Sequence, residues 1–244
     1  MMKNELSANH WDFFDKIYCI SLEERGDRRE DARIQFSKVG LLDRVEFVVV
    51  KRHSHNCEQG IYDSHMSCIK RGIQADAGNI VVFEDDIRFE RFDPANLKDC
   101  ADFLSAKSDW KLLFFGCLVK GSKETQNKSV RKVKFRSLAH AYAINRKFAE
   151  TLVGKPWQET AFDNMLSSFG EGLYAAYPSF AFQSNSRTDN YSKLSLDKLR
   201  RLFGGLRRIQ KWNELFYRHK TLFIALHIVV LLFLILAFTI GFLS

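Results

Sequence analysis

Between Lys16 and Phe115, short apolar runs alternate with stretches of helical pattern, and this order restricts the fold more than any other feature of the chain. Lys16–Leu22 (KIYCISL) predicts a first strand, followed by a charged loop through Arg25 and Asp27. Arg28–Val39 predicts a helix, with Ala32, Phe36 and Val39 on one stripe and Gly40 as its stop. Val45–Val50 is a β-branched second strand. A helix over about Tyr62–Ala75 leads to a third strand, Ile80–Phe83. Asp93 and Pro94 are the cap and first-turn proline of another helix, and Lys111–Phe115 is a fourth strand. Repeated strand, helix, strand order predicts an α/β fold, a mostly parallel sheet flanked by helices on both faces. No internal repeat interrupts it, and Gly121–Arg131 (GSKETQNKSVR) predicts an exposed, mobile loop.

The chain ends differently from how it begins. Of the 24 residues from Thr221 to Ser244, 19 are apolar and none is Lys, Arg, Asp or Glu. A bilayer core of about 30 Å takes about 20 such residues in a helix, so this run predicts a transmembrane helix, with His227 towards the interface. The 244-residue chain carries 37 Lys or Arg and 29 Asp or Glu, a net +8, and Lys198–Lys220 alone holds eight basic residues and one acid, a net +7. The remaining +1 lies on residues 1–197. Such a distribution argues against nucleic-acid binding, which spreads cations over the folded domain. Basic residues before a span mark its cytoplasmic side. Residues 1–14 (MMKNELSANHWDFF) hold no long apolar segment of the signal-peptide kind. The expected location is therefore the membrane, with a single-pass C-terminal anchor and the catalytic domain in the cytosol. Five irregularly spaced cysteines, Cys19, Cys57, Cys68, Cys100 and Cys117, predict reduced, mostly buried thiols. The expected organisation is an N-terminal lead (1–15), an α/β domain (16–190), a basic juxtamembrane segment (191–220) and the transmembrane helix (221–244).

The sharpest chemical signal is Glu84, Asp85 and Asp86, three acids where the apolar strand IVVF ends. Ligands of open α/β sheets bind beyond the carboxyl ends of the strands. Adjacent carboxylates repel one another, and a divalent cation relieves that repulsion; their hard oxygens suit Mg²⁺ or Mn²⁺, which keep room in their shell for phosphate oxygens. In an extended strand Glu84 and Asp86 would face one way and Asp85 the other. The competing reading is an acidic turn with a local capping role.

The surrounding order of motifs resembles glycosyltransferase family 25, the lipooligosaccharide and collagen galactosyltransferase group. The elements are IYCISLEERGDRRE (Ile17–Glu30), Asp63-Ser64-His65, IVVFEDDIRF (Ile80–Phe89), HAYAINRKFAETLV (His140–Val153), Phe162-Asp163-Asn164-Met165 and YPSFAFQSNS (Tyr177–Ser186). They cover about Lys16–Asp189 in the family's order. The chain departs from the pattern in the Gly121–Arg131 stretch, in lacking a glycine-rich lead into His140–Tyr142, and in its apolar tail. What the resemblance implies is a GT-A type fold, a nucleotide-sugar donor, with UDP-galactose first, and inverting transfer to a membrane-associated glycan such as a lipooligosaccharide core.

The resemblance also distributes roles. Asp86 is the first metal contact, with Glu84 or Asp85 helping through the metal, water or ribose, and the metal is Mn²⁺ or Mg²⁺. Arg25 and Arg28 follow the first strand and would meet uridine or phosphate, or be solvated helix-start charges. His65 is a donor to the diphosphate or a buried structural histidine. Tyr142 lines the site or is buried, according to register. An inverting displacement needs a base on the side away from the leaving diphosphate, and Asp163 is the candidate, with Asp189 in reserve; Asp163 as a first-turn helix acid is the alternative. His53, His55, Cys57 and His65 could supply zinc ligands, against a plain loop before the second helix. Two other functions share these residues: a metal-dependent phosphoesterase, and a catalytically degenerate transferase fold acting as a membrane interaction module.

Overall fold

In the computed structural model, residues 10–184, 200–202 and 204–243 are described. The first three strands, β1 (Lys16–Leu22), β2 (Val45–Val50) and β3 (Asn79–Glu84), are joined by helices α1 (Gly26–Lys38) and α2 (Cys57–Gln74). β1 and β2 have the predicted bounds. α2 begins five residues before the expected Tyr62, because Asn56 caps it, accepting from the N–H groups of Glu58 and Gln59 at 3.0 and 3.2 Å. A short β4 (Ile87–Phe89) precedes α3 (Pro94–Ser105), which Asp93 caps as expected through the Ala95 N–H. Then come β5 (Leu112–Phe114), β6 (Leu118–Glu124), β7 (Val130–Ser137), β8 (Ala141–Asn145), α4 (Arg146–Val153), α5 (Phe162–Ser167), β9 (Leu173–Ala176) and β10 (Ala181–Gln183). Two helices close the chain, α6 (Gly205–Arg218) and α7 (Lys220–Leu243).

Eight strands form one sheet in the order β2-β1-β3-β8-β5-β9-β7-β6, and β4 pairs with β10 separately. β1, β2, β3, β5, β6 and β9 run one way and β7 and β8 the other. The sheet is thus mixed, with most strands aligned. Alternation along the central strands divides the core: Ile17, Cys19, Val81 and Phe83 pack on one face, and Tyr18, Ile80 and Val82 on the other.

Gly121–Arg131 is not the expected loop. Most of it lies in the β6–β7 hairpin, paired from Leu118↔Ser137 to Glu124↔Arg131. Val133 and Phe135 of β7 are buried in one core cluster and Val130 in the other, while Lys132 and Lys134 are exposed. β6 is an edge strand bearing Lys120 and Lys123, so its polar sequence suits its position.

α7 is a single 24-residue helix with most of its large apolar side chains between Leu222 and Phe238 exposed. Among the described residues no single helix is long and apolar enough to cross a membrane. Gly205–Arg218 and Lys220–Leu236, bent by 83° at their junction, meet that test together by length and composition. Within α6, Arg207 and Lys211 both bond Glu90, at 2.8 and 2.6 Å, Arg218 bonds the Tyr177 hydroxyl, and Gln210 is fully buried.

Candidate functional site

β1 pairs with β2 on one side and β3 on the other, so the chain reverses its direction of growth across the sheet at β1. Crevices at such switch points, beyond the carboxyl ends of the strands, are where open α/β sheets hold ligands. Here the crevice is a cavity of about 540 Å³, a size that suits a small-molecule ligand. The ends of β1 (Ser21, Leu22), β2 (Val50) and β3 (Glu84) border it, with Lys51 and Arg52 following β2. Because β8 runs antiparallel to β3, the segment leading into it, Ser137–Ala139, reaches the same end.

β3 stops at Glu84, and Asp85 and Asp86 form a turn into β4. The alternation expected of an extended strand therefore ends, and all three acids border the cavity. They have different neighbours. Asp85 is buried, accepts a 2.6 Å hydrogen bond from the Ser21 hydroxyl and lies 3.5 Å from Arg28 Nη1. Burial pushes its carboxyl above the usual range, and Ser21 and Arg28 oppose the shift. Asp86 lies 3.9 Å from the same Arg28 nitrogen, and its carbonyl accepts from Ser184 N–H at 2.7 Å. Glu84, about one third exposed, lies 3.5 Å from His65 Nε2.

His65 is 1% exposed and stacks on Phe162 at a centroid distance of 4.1 Å. Burial lowers its pKa to about 4, against a weaker pull from Asp163, so the ring is neutral at pH 7. Its Nδ1 lies 3.2 Å from the Tyr142 hydroxyl. Tyr142 itself is fully buried, and burial raises its pKa well above the usual value. It sits behind His65 and not in the cavity wall, which corrects the expected site-lining role. With the hydroxyl donating to Nδ1, Nε2 carries the proton, 3.5 Å from Glu84.

Arg28 borders the cavity, whereas Arg25 does not. Arg25 bonds Asp27 through two nitrogens, at 2.9 and 2.8 Å, and its expected contact with a ligand has no counterpart in the cavity wall. Asp163 does border the cavity. It also performs a structural task, its two oxygens accepting from the N–H groups of Leu138 and Ala139 at 2.9 and 3.0 Å, where Leu138 has φ +72°. Asp189 lies outside the described residues.

His53 Nδ1 accepts from the N–H of Asn56 at 2.9 Å and of His55 at 3.3 Å, forming the loop before α2 and leaving the zinc reading without a ligand set. Among the described residues no group of three or more His, Cys, Asp or Glu is gathered to hold a metal. The oxygen-only turn still suits a hard cation held by one or two carboxylates, with phosphate oxygens completing its shell. All five cysteines are free, four of them buried.

Several wall residues carried no signal in the sequence. Ser21 is a polar residue at the end of an apolar strand and was the one most open to detection. Leu138, Ala139, Arg200, Arg201, Gly205 and Leu206 arrive from distant parts of the chain, and only the fold brings them in.

No family model matches the chain. A mouse protein, procollagen galactosyltransferase 2, is 27% identical over 58% of this chain and 28% of its own length. The chain therefore spans little more than a quarter of that relative, and the likeness is confined to that shared region. Among solved structures, A197 from STIV is 13% identical, covering 69% of this chain and 85% of its own, with a TM-score of 0.47. A glycosyltransferase involved in glycosylation of the major capsid of PBCV-1 is 10% identical, covering 75% and 99%, with a TM-score of 0.42.

Proposed function

We propose that this chain is an inverting, nucleotide-sugar-dependent glycosyltransferase of the family 25 kind, with a GT-A type fold. The observation that carries the reading is the Glu84–Asp86 turn beside Arg28 at the β1 switch point, bordering a cavity of about 540 Å³. A leaving nucleoside diphosphate concentrates negative charge, and a site for it needs cations placed in advance. Arg28 is one. Mn²⁺ or Mg²⁺ would be the other: Asp86 with Glu84 would hold it, and it would supply positive charge to the leaving diphosphate. The neutral His65 lies beside Glu84, its Nε2 3.5 Å from the carboxylate. Asp85, tied to Ser21 and Arg28, fixes the turn and sets the guanidinium towards the phosphates.

Asp163, which borders the same cavity, is the candidate base for the acceptor hydroxyl. Two of its roughly four lone-pair sites are engaged by backbone N–H groups, which leaves acceptor capacity for a substrate proton. Galactose from UDP-galactose is the first donor to test, and a membrane-associated glycan the acceptor, with α7 as the anchor and the domain on the cytosolic side. The similarity to a galactosyltransferase supports the donor class.

The test is a screen of UDP-sugars for Mn²⁺-dependent UDP release, run beside a generic phosphate monoester. Sugar-selective UDP release supports the reading. Hydrolysis of the monoester without UDP release would move the chain to the metal-dependent phosphoesterases.

A further inference from the structure

α6 is amphipathic in the reverse of the usual sense. A surface helix normally turns its apolar stripe to the core and its polar stripe to water. The residues of α6 that meet the domain are mostly polar. Gln210, fully buried, donates through Nε2 to the Ala181 carbonyl at 2.9 Å. Asn213 brackets the Val119 peptide, accepting from its N–H at 2.9 Å and donating to its carbonyl at 3.1 Å. Glu214 accepts from Ser179 N–H at 2.9 Å and from Arg91. The opposite stripe is Arg208, Trp212, Leu215 and Phe216, spaced i, i+4, i+7 and i+8 and all exposed, with Trp212 at 65%. Phe216 also meets Phe223 of α7 at 5.7 Å between ring centroids.

We infer that α6 is an interfacial helix, and that its Trp212–Leu215–Phe216 face seats the domain in the headgroup region of an anionic bilayer. The 83° turn between α6 and α7 lays α6 in the membrane plane when α7 runs along the bilayer normal. Trp and Phe on an outward face, with Arg208 and Lys220 beside them, are the residues that a lipid interface selects. The cations on the domain-facing flanks, Arg207 and Lys211, are held by Glu90, so seating depends on the apolar face more than on the net charge of the segment. The first residues of α6, Gly205 and Leu206, border the cavity. Seating α6 therefore sets the cavity at the level of a lipid-linked acceptor. This inference rests on the membrane reading of α7.

The experiment is fluorescence quenching of the full chain in vesicles of phosphatidylcholine and phosphatidylglycerol, after flotation. Subtracting the emission of Trp212→Phe from that of the parent chain isolates Trp212, an exposed position where the change leaves the domain folded. Lipids brominated near the ester linkage are expected to quench the isolated emission, and aqueous acrylamide to leave it largely intact. If the chain floats and acrylamide quenches Trp212, α6 faces water and the inference is overturned while the anchor stands. If the chain floats and neither agent reaches Trp212, protein covers it, a second copy being the first suspect, and the inference is again overturned. Failure to float would remove the membrane reading of α7 itself.

Discussion

The Ser21 hydroxyl donates to Asp85 at 2.6 Å, joining the ends of two parallel strands that are 64 residues apart in sequence. The bond is buried, and it is the shortest link between β1 and the acid turn that β3 delivers. Replacing Ser21 with Ala leaves a buried carboxylate one donor short, which costs about 2 kcal/mol for a hydrogen bond to a charged group. Urea titration of Ser21→Ala should show that loss, together with a weaker grip on UDP-sugar as Arg28 and the turn relax. An unchanged midpoint would mean that Arg28 alone holds the turn.

Two buried histidines make acid stability a test of the site's protonation. Burial lowers the pKa of both His65 and His140 from 6.5 to about 4. The unfolded chain then takes up protons before the folded one, so each neutral ring contributes stability that is full above pH 6.5 and is lost as pH falls through about 4. The loss is on the order of 3 kcal/mol per ring at the acid end. His65→Gln should flatten the decline of Tm between pH 7 and pH 4.5. An equally steep decline in that variant would mean that the ring is protonated in the folded state.

Asp163 is expected to show two effects in one variant. In Asp163→Asn, one of the two bonded N–H groups of Leu138 and Ala139 meets an amide donor instead of an acceptor, so stability falls by about 1–3 kcal/mol. Turnover should fall further than that, by about two to four orders of magnitude, with UDP-sugar affinity near normal. A variant that loses thermal stability and keeps its turnover identifies a clamp alone, and the search for the base moves to Asp189.

Gly116 reports on how firmly α6 is docked. A Cβ there would lie 1.8 Å from the Ala181 carbonyl oxygen and 2.5 Å from Gln210 Nε2, and the first of these is backbone that cannot step aside. Gly116→Ala should therefore destabilise the domain by roughly 3 kcal/mol and free α6. Limited proteolysis after Gly204 would reveal the release, and resistance equal to the parent chain would show that the contact is dispensable.

Much of this fold was legible because β1 and β3 are largely apolar runs buried on both faces and β2 is a β-branched strand at the sheet edge, with helices between them and few alternatives to a parallel arrangement. β6 was not, since an edge strand carrying Lys120, Gly121 and Lys123 reads as a loop when its partner is unknown. Glu84, Asp85, Asp86, Arg28 and Asp163 were singled out by their places after strands and in motifs, and all five border one cavity. Tyr142 was misplaced because a strand's alternation gives two faces and does not say which one faces the ligand. The docking of α6 was invisible for a related reason: Gln210, Asn213 and Glu214 look like a solvated face until their backbone partners are known.

The measurement that bears most directly on the central claim is Mn²⁺-dependent UDP release from UDP-galactose by the parent chain and by Asp86→Asn, each with its thermal midpoint. Asp86→Asn removes one negative oxygen and nearly preserves shape. The account predicts release by the parent that excess EDTA abolishes, and no release by the variant at an unchanged midpoint. Full activity in Asp86→Asn, or in the parent chain with EDTA, would contradict it.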